Sequence, residues 1–171
     1  MKVLGLTGWS GSGKTTLLIA LIPLFHARGV SVSTVKHAHH GFDLDQPGKD
    51  SYRHREAGAR EVLVSSATRW ALLHENDGPE PSLSDLLARL SSVDLVLVEG
   101  FKASSHPKIE VFRPALAREP LWPGRADIVA VAADTAPDPA PPTVLPLNEP
   151  MEIVSWAIRF LETVAAVQHA S

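Results

Sequence analysis

Hydrophobic positions follow one another in short runs over part of the chain and recur three or four residues apart elsewhere. The short runs, several of them alternating with serine or threonine, predict strands. These predicted strands cover residues 3–7, 30–35, 61–64, 70–73, 94–98, 109–112 and 128–132. Helices are predicted over residues 14–28, 50–59, 82–90 and 152–167. Strand and helix therefore alternate along most of the chain.

This alternation predicts an α/β fold, a three-layer sandwich built on a mostly parallel sheet. The helix between the first two strands has a length that suits a parallel βαβ unit. Pro23 lies inside that helix, where we expect a kink, and Gly29 is expected to end it. Prolines crowd into residues 114–123 and 137–150, and we expect both stretches to be loops between strands.

Composition is that of a globular protein that folds alone: 44% of the 171 residues are hydrophobic and 20% are charged. We expect a single domain over residues 1–171. A net charge of -3 provides no global field to hold a nucleic acid polymer or an anionic membrane. The chain has no cysteine, which excludes disulfides and thiolate metal sites and is consistent with a reducing cytoplasm. The longest apolar run, residues 17–25, is about half of a membrane span, so we expect a cytoplasmic protein without a transmembrane helix.

A glycine-rich segment between the first strand and the first helix fits the phosphate-binding pattern G-x-x-x-x-G-K-[ST]. Gly11 and Gly13 let the backbone turn its N–H groups inward, and the helix N-terminus adds partial positive charge. Lys14 is expected to bridge the β- and γ-phosphates, and the Thr15 hydroxyl to coordinate Mg²⁺. The predicted nucleotide-binding residues of this segment are Gly8, Ser10, Gly11, Ser12, Gly13, Lys14, Thr15 and Thr16.

An acidic residue ends the apolar strand 94–98, in the manner of a Walker-B motif. Glu99 lies at the edge where parallel-sheet sites open, whereas Asp94 begins the strand at the opposite edge. We therefore expect Glu99 to reach the metal, directly or through water, and Gly100 to allow close backbone approach. Asp50, just ahead of a helix and near cationic Lys49, is expected to join the Mg²⁺ shell or to position water. The predicted catalytic residues are Lys14, Asp50 and Glu99, and the predicted metal ligands are Thr15, Asp50 and Glu99.

Three histidines follow the second strand, namely His37, His39 and His40. Neutral imidazoles suit zinc, nickel or copper, so these residues are one candidate for a transition-metal site. The other interpretation is that they are polar loop residues near the phosphates, in a switch-like segment that senses the γ-phosphate.

Several of these segments resemble the molybdopterin-guanine dinucleotide biosynthesis protein B (MobB) family. The matching pieces are residues 9–16, 36–40, 48–52, 69–72, 98–102 and 130–134. The Walker motif is shared by many functions, but the histidine segment together with the Glu-Gly-Phe-Lys strand end is much narrower. The resemblance implies a GTP-binding, weakly GTP-hydrolysing homodimer. It would assist the guanylyltransferase that attaches GMP to molybdopterin; whether molybdopterin itself binds stays open.

Guanine recognition has no obvious sequence signature here, because the chain lacks the Asn-Lys-x-Asp sequence of many GTPases. Asp134 lies just past the strand 128–132, where its carboxylate could accept from the N1–H and N2–H₂ groups of guanine. The alternative is that Asp134 begins a turn before Pro137. Asn148 is a weaker candidate for the same pocket.

Two other functions stay open from the residues alone. One is a small-molecule kinase or ligase, in which cationic side chains hold an anionic acceptor; these are Lys36, Lys49, Arg53 and Arg55. The other is a metallochaperone NTPase in which His37, His39 and His40 carry the ion.

Overall fold

A computed structural model describes residues 1–38, 41–138, 140–141 and 143–169, without the side chains of residues 165 and 167–169. The chain divides into two compact units, Met1–His37 with Leu90–Ser171 and Ala38–Arg89. Whether residues 1–171 fold as a single domain stays a prediction.

The strands and helices alternate as the hydrophobic pattern predicts. The first unit contains β1 (Lys2–Thr7), α1 (Lys14–His26), β2 (Val32–Lys36), β5 (Leu95–Glu99), β6 (Lys108–Phe112), β7 (Ile128–Ala133), β8 (Val144–Pro146) and α4 (Pro150–His169). The second unit contains α2 (Asp50–Glu56), β3 (Glu61–Ser65), β4 (Trp70–His74) and α3 (Leu83–Leu87).

The first unit is built on a six-stranded sheet in the order β2-β5-β1-β6-β7-β8. All of its neighbouring strands pair in parallel. The predicted fold class is thereby confirmed as an α/β fold with a parallel sheet flanked by helices. The first two strands along the chain are not neighbours, because β5 lies between them. Strand order reverses at β1, and ligands of such sheets bind at the carboxyl ends of the strands around this point.

The main core lies where α1 and α4 pack against one another and against one face of this sheet. Alternate residues of the strands supply it, as the period of two in a strand requires. Its strand members include Leu4, Leu6, Leu95, Leu97, Ile109 and Val111. In a second, smaller buried cluster, the ring of Phe112 in β6 packs edge to face against the ring of Trp122, with centroids 5.1 Å apart.

Helix α1 contains Pro23 and continues through it to His26. The predicted kink stays a prediction. Gly29 follows in the left-handed region, with φ +73°, and Val30 N donates to Phe25 O at 3.1 Å. The chain thus leaves the helix through the glycine that the sequence indicated, three residues after the last helical position.

The expectation that residues 137–150 form only loops is wrong in one place. β8 (Val144–Pro146) pairs with β7 and forms the edge of the sheet. Proline is tolerated on an edge strand because only one side of the strand needs its ladder hydrogen bonds. Pro150 then starts α4 at the first helical position, where a missing N–H costs nothing.

The two short strands at residues 61–64 and 70–73 form, but outside the main sheet. β3 and β4 pair antiparallel as a separate two-stranded sheet in the second unit. In the same unit, Ser82 caps α3 in a capping box with Asp85. Within the part of the chain that the structure describes, no helix has both the length and the apolar character needed to cross a membrane.

Candidate nucleotide-binding site

The loop between β1 and α1 depends on glycines in the left-handed region. Gly8, Gly11 and Gly13 have φ angles of +139°, +80° and +99°. A Cβ added at Gly8 would lie 2.5 Å from the carbonyl oxygen of Val111, closer than any side chain allows. The neighbouring strand β6 therefore approaches the loop so closely that only glycine fits at its first position.

One hydroxyl group at the end of β1 and one in this loop are buried without a hydrogen-bond partner among the described residues. Thr7 and Ser12 are each 1% exposed, and the unpaired atoms are Thr7 Oγ1 and Ser12 Oγ. Buried polar atoms are normally satisfied, and an exception calls for an explanation such as a ligand. Ser12 is one of the residues predicted to bind the phosphates, and its orphaned hydroxyl fits that prediction. Ser10 lies exposed in the loop, and Thr16 lies exposed in the first turn of α1.

Lys14 folds back over the loop, where its ammonium group donates to the carbonyl oxygen of Trp9 at 2.9 Å. Partial burial lowers the pKa of Lys14, and the positive charges of Lys102 and Lys36 lower it further, against the opposing effect of Glu99. Several cations thus act on one another around the loop. Such a set repels itself and is stabilised by a polyanion such as a triphosphate.

The predicted metal residues Thr15 and Glu99 are in contact. Thr15 Oγ1 donates to Glu99 Oε1 at 3.0 Å and lies 3.1 Å from Oε2. The contact arises because β5 pairs with β1 in parallel, with Glu99 opposite Leu6, so that its carboxylate ends beside the first turn of α1. A hydroxyl and a carboxylate are oxygen ligands of the kind that Mg²⁺ prefers, so the donor set fits this ion.

Gly100, which follows β5, was expected to allow close backbone approach, and the strand β2 side of the sheet does lie close to it. Its φ is +100°, and an added Cβ would lie 2.6 Å from the Cβ of His37. Asp94 lies at the opposite edge of the sheet, where it accepts from the backbone N–H of Ser31 at 2.8 Å. The Ser31 hydroxyl also donates to this carboxylate and holds its pKa below the usual range, so Asp94 is a structural residue far from the loop.

Asp50 begins α2 in the second unit, where its side chain is 90% exposed and lies 4.0 Å from the guanidinium of Arg53. The structure describes it within that unit alone, and its role at the metal stays a prediction.

The histidine segment is described only in part. The ring of His37 lies 4.8 Å from that of Phe101, tilted by 39°, whereas His39 and His40 lie outside the described residues. Among the residues that are described, no group of three or more His, Asp or Glu is placed to hold a metal ion. The metal-binding interpretation of the three histidines stays a prediction.

Asp134 directly follows β7, and an arginine that the sequence analysis did not single out connects it to the loop. Arg113 donates from Nη1 to Asp134 Oδ2 at 2.8 Å and from Nε to the carbonyl oxygen of Ser12 at 3.1 Å. Arg113 directly follows β6, and that position at the carboxyl end of a parallel strand was the available signal. Asn148 is exposed beyond β8.

Two cationic side chains that the sequence analysis did not place in the site lie over the ring of Trp9. Its ring centroid lies 5.6 Å from Lys102 Nζ and 5.6 Å from Arg118 Cζ. Its indole N–H donates to the carbonyl oxygen of Glu119 at 2.7 Å. These contacts hold cations beside the loop at distances typical of cation–π interactions.

The parallel sheet and the glycine-rich loop between β1 and α1 define a protein of the P-loop class. A profile of the family described as molybdopterin guanine dinucleotide synthesis protein B matches residues 3–134. The chain belongs to this family, MobB, which confirms the resemblance noted from the sequence.

Similar proteins agree with this assignment. The chain is 46% identical over 139 residues to the molybdopterin-guanine dinucleotide biosynthesis adapter protein of Escherichia coli (strain K12), covering 78% of this chain and 79% of that protein. It is 41% identical over 164 residues to the adapter protein of Haemophilus influenzae, covering 94% and 90%. A crystal structure of molybdopterin-guanine biosynthesis protein B superposes with a TM-score of 0.72 at 26% identity, covering 93% of this chain and 99% of that one.

Proposed function

We propose that the protein is a GTP-binding, weakly GTP-hydrolysing adapter in the synthesis of molybdopterin guanine dinucleotide. In this role it assists the guanylyltransferase that attaches GMP to molybdopterin. The observation that carries the proposal is the P-loop, with its orphaned Ser12 hydroxyl and its contact between Thr15 and Glu99. The names of the relatives supply the pathway.

Phosphate binding is assigned to the loop and to Lys14. The backbone N–H groups of residues 8–15 and the N-terminus of α1 would hold the phosphates, and Lys14 would exchange the carbonyl of Trp9 for phosphate oxygens. Lys36 and Lys102 add positive charge to the same region. Bound phosphates would place negative charge among these cations, which favours binding.

Thr15 and Glu99 would hold Mg²⁺, which supplies charge neutralisation between the β- and γ-phosphates when bound. Glu99 would serve as a direct ligand or through water, and Asp50 is proposed as a further contributor. Hydrolysis is expected to be weak because residues 8–16 contain no arginine, and the guanidinium of Arg113 beside them is bonded to Ser12 and Asp134. An arginine at the transferred phosphate is worth about 10³–10⁵ in kcat in GTPases.

Guanine recognition is assigned to Asp134, which lies after β7, two strands away from β1 in the sheet. Its carboxylate would accept from N1–H and N2–H₂, a donor pair that adenine does not offer. Asn148, which follows the next strand, is the second candidate for the same pocket.

We further propose that the adapter is a homodimer whose contact includes the hairpin of β3 and β4. On one face of this hairpin, Leu63, Trp70 and Leu72 are 61%, 67% and 45% exposed. An isolated two-stranded sheet is marginally stable in water, and a second copy would cover this apolar face. Sedimentation across a range of protein concentrations tests the dimer, and a monomer at every concentration would contradict it.

The nucleotide proposal is tested by titrating fluorescent GTP and ATP with and without Mg²⁺. We expect tighter binding of GTP than of ATP, strengthened by the ion. The Lys14→Ala variant should bind either triphosphate at least about tenfold more weakly, because it loses a charge-assisted contact. Lys2→Ala, at the opposite end of β1, is the matched control.

A folded Lys14→Ala variant that binds GTP as the parent does would overturn the P-loop assignment. Transfer of phosphate from GTP to a small anionic acceptor would favour the kinase or ligase instead.

Base choice has its own test in the Asp134→Asn variant. The change places an NH₂ group against the donors of guanine, and such a polar mismatch costs about 1–3 kcal/mol. Xanthosine triphosphate carries a carbonyl in place of the 2-amino group, so it should be repelled by Asp134 and accepted by the asparagine. We expect the ratio of GTP to xanthosine triphosphate affinity to fall by about tenfold or more. An unchanged ratio would mean that Asp134 does not contact the base and only begins a turn.

A further inference from the structure

Arg113 joins two parts of the candidate site that are far apart in sequence. Its guanidinium binds the carbonyl oxygen of Ser12 through Nε and the carboxylate of Asp134 through Nη1. Ser12 belongs to the phosphate-binding loop, and Asp134 follows the strand to which we assign base recognition. The position of Arg113 after β6 explains the bridge, because β6 lies between β1 and β7 in the sheet.

The guanidinium also lies against the turn of the loop. A Cβ added at Gly13 would be 3.7 Å from both Nε and Nη2 of Arg113, an ordinary contact distance. The side chains of Arg113 and Asp134 are only 35% and 25% exposed, so the pair is partly withdrawn from water. A planar guanidinium held by two acceptors on separate segments is fixed in orientation as well as in place.

The acceptors that Arg113 uses determine what it can do. Its Nε–H is directed to a backbone carbonyl, whereas phosphates are bound by the backbone N–H groups of such loops. One Nη1–H is directed to a carboxylate. Both bonds hold protein groups in place, which is the role of a positioning residue. The Nη1 bond uses one lone pair of Asp134 Oδ2, so that Oδ1 and the other lone pair of Oδ2 are left to accept from the two donors of the base.

We propose that Arg113 determines guanine selectivity by holding Asp134 in register with the phosphate-binding loop. The proposal rests on the proposed function, since it gives Asp134 the role of base reader. A carboxylate without its arginine would regain rotamer freedom and solvation, and both would be lost again on binding guanine. Selectivity would therefore fall even though Asp134 itself is intact.

The test compares three ligands on six proteins. The ligands are GTP, xanthosine triphosphate and inorganic tripolyphosphate, which reports on the loop without a base. The proteins are the parent, Arg113→Gln, Arg113→Lys, Asp134→Asn, the double variant of Arg113→Gln with Asp134→Asn, and the matched control Arg159→Gln on the exposed face of α4. Circular dichroism confirms that each variant is folded.

We expect Arg113→Gln to lower the ratio of GTP to xanthosine triphosphate affinity by about fivefold or more, while tripolyphosphate affinity changes less than about threefold. The double variant should have the ratio of Asp134→Asn alone, because Arg113 acts through Asp134. Arg113→Lys should restore the ratio only in part, since an ammonium group does not reproduce the two-sided geometry of a guanidinium.

Other outcomes overturn the proposal in distinguishable ways. Equal losses for all three ligands would mean that Arg113 merely supports the loop. A lowered ratio in Asp134→Asn with an unchanged ratio in Arg113→Gln would contradict the positioning role of Arg113 and support base recognition by Asp134. An unchanged ratio in Asp134→Asn would contradict both roles.

Discussion

At the residue scale, two glycines of the phosphate-binding loop both have positive φ angles and differ in their surroundings. The φ angles are +139° at Gly8 and +80° at Gly11, and L-residues rarely adopt either of them. An added Cβ at Gly8 would meet the Val111 carbonyl at 2.5 Å, whereas at Gly11 it would meet nothing within 4 Å. The first glycine is required by a neighbouring strand and the second only by its own backbone.

This difference predicts unequal effects of the same substitution. Gly8→Ala should displace the loop or β6, and we expect tripolyphosphate affinity to fall by about tenfold or more with a clear loss of thermal stability. Gly11→Ala should cost about 1–2 kcal/mol of stability at most and retain the larger part of the binding. Isothermal titration and thermal denaturation of both variants measure this, and equal behaviour would show that strand β6 does not restrict the loop.

At the element scale, the candidate metal site is made where the first turn of α1 meets the end of β5. Neither element holds both ligands. Thr15 is the second residue of α1 and Glu99 the last of β5, and the parallel pairing of β5 with β1 brings them to 3.0 Å. A metal between them would tie the helix to the strand.

Removing either side of this contact should weaken the effect of Mg²⁺ more than the binding of nucleotide alone. We expect Thr15→Ala and Glu99→Gln to bind GTP without Mg²⁺ within about threefold of the parent, and to lose most of the strengthening by the ion and of the hydrolysis. Glu152→Gln, in the first turn of α4, is the control. If Glu99→Gln keeps the Mg²⁺ dependence of the parent, another carboxylate holds the ion.

At the scale of the whole molecule, the stability of the first unit depends on a neutral histidine away from the candidate site. Both ring nitrogens of His106 are buried without a partner among the described residues, and the ring lies against Gly5 of β1. Burial lowers the pKa of His106 to about 4, and the nearby charge of Lys108 contributes, against an opposing effect of Asp127. The folded protein therefore disfavours the imidazolium form.

A lowered histidine pKa makes stability fall on acidification. The pKa of His106 is about 6.5 in the unfolded chain and about 4 in the folded protein. Between pH 6.5 and pH 4 the unfolded chain therefore binds a proton that the folded protein does not bind, so unfolding becomes easier as pH falls. We expect a loss of up to about 2 kcal/mol from pH 7 to pH 4, reduced by solvent screening from the full linkage value. Denaturant titrations should show this slope diminished in His106→Leu and retained in His26→Gln. Identical slopes in parent and His106→Leu would assign the acid sensitivity to other groups.

The order of neighbouring segments along the sequence was sufficient to predict the class of protein. A strand, a glycine-rich loop and a helix in succession specify the phosphate-binding loop, since the periods of two and 3.6 residues and the turn glycines all act between near neighbours. The buried strand ending at Glu99 is local in the same sense. The family resemblance, carried by several such segments in order, was readable for that reason.

Only the tertiary structure shows the features that depend on pairing between segments far apart in the sequence. Strand order placed β5 between β1 and β2, set β3 and β4 apart as a hairpin and added β8 at the edge. It also brought Arg113 to Ser12 across 101 positions of sequence and to Asp134 across 21. Hydrophobic patterning shows which face of a strand is buried and says nothing of which strand lies beside it, because many pairings bury the same face equally well. The position of Arg113 after a predicted strand could be seen in the sequence, but its contacts with Ser12 and Asp134 become visible only when the order of the strands is known.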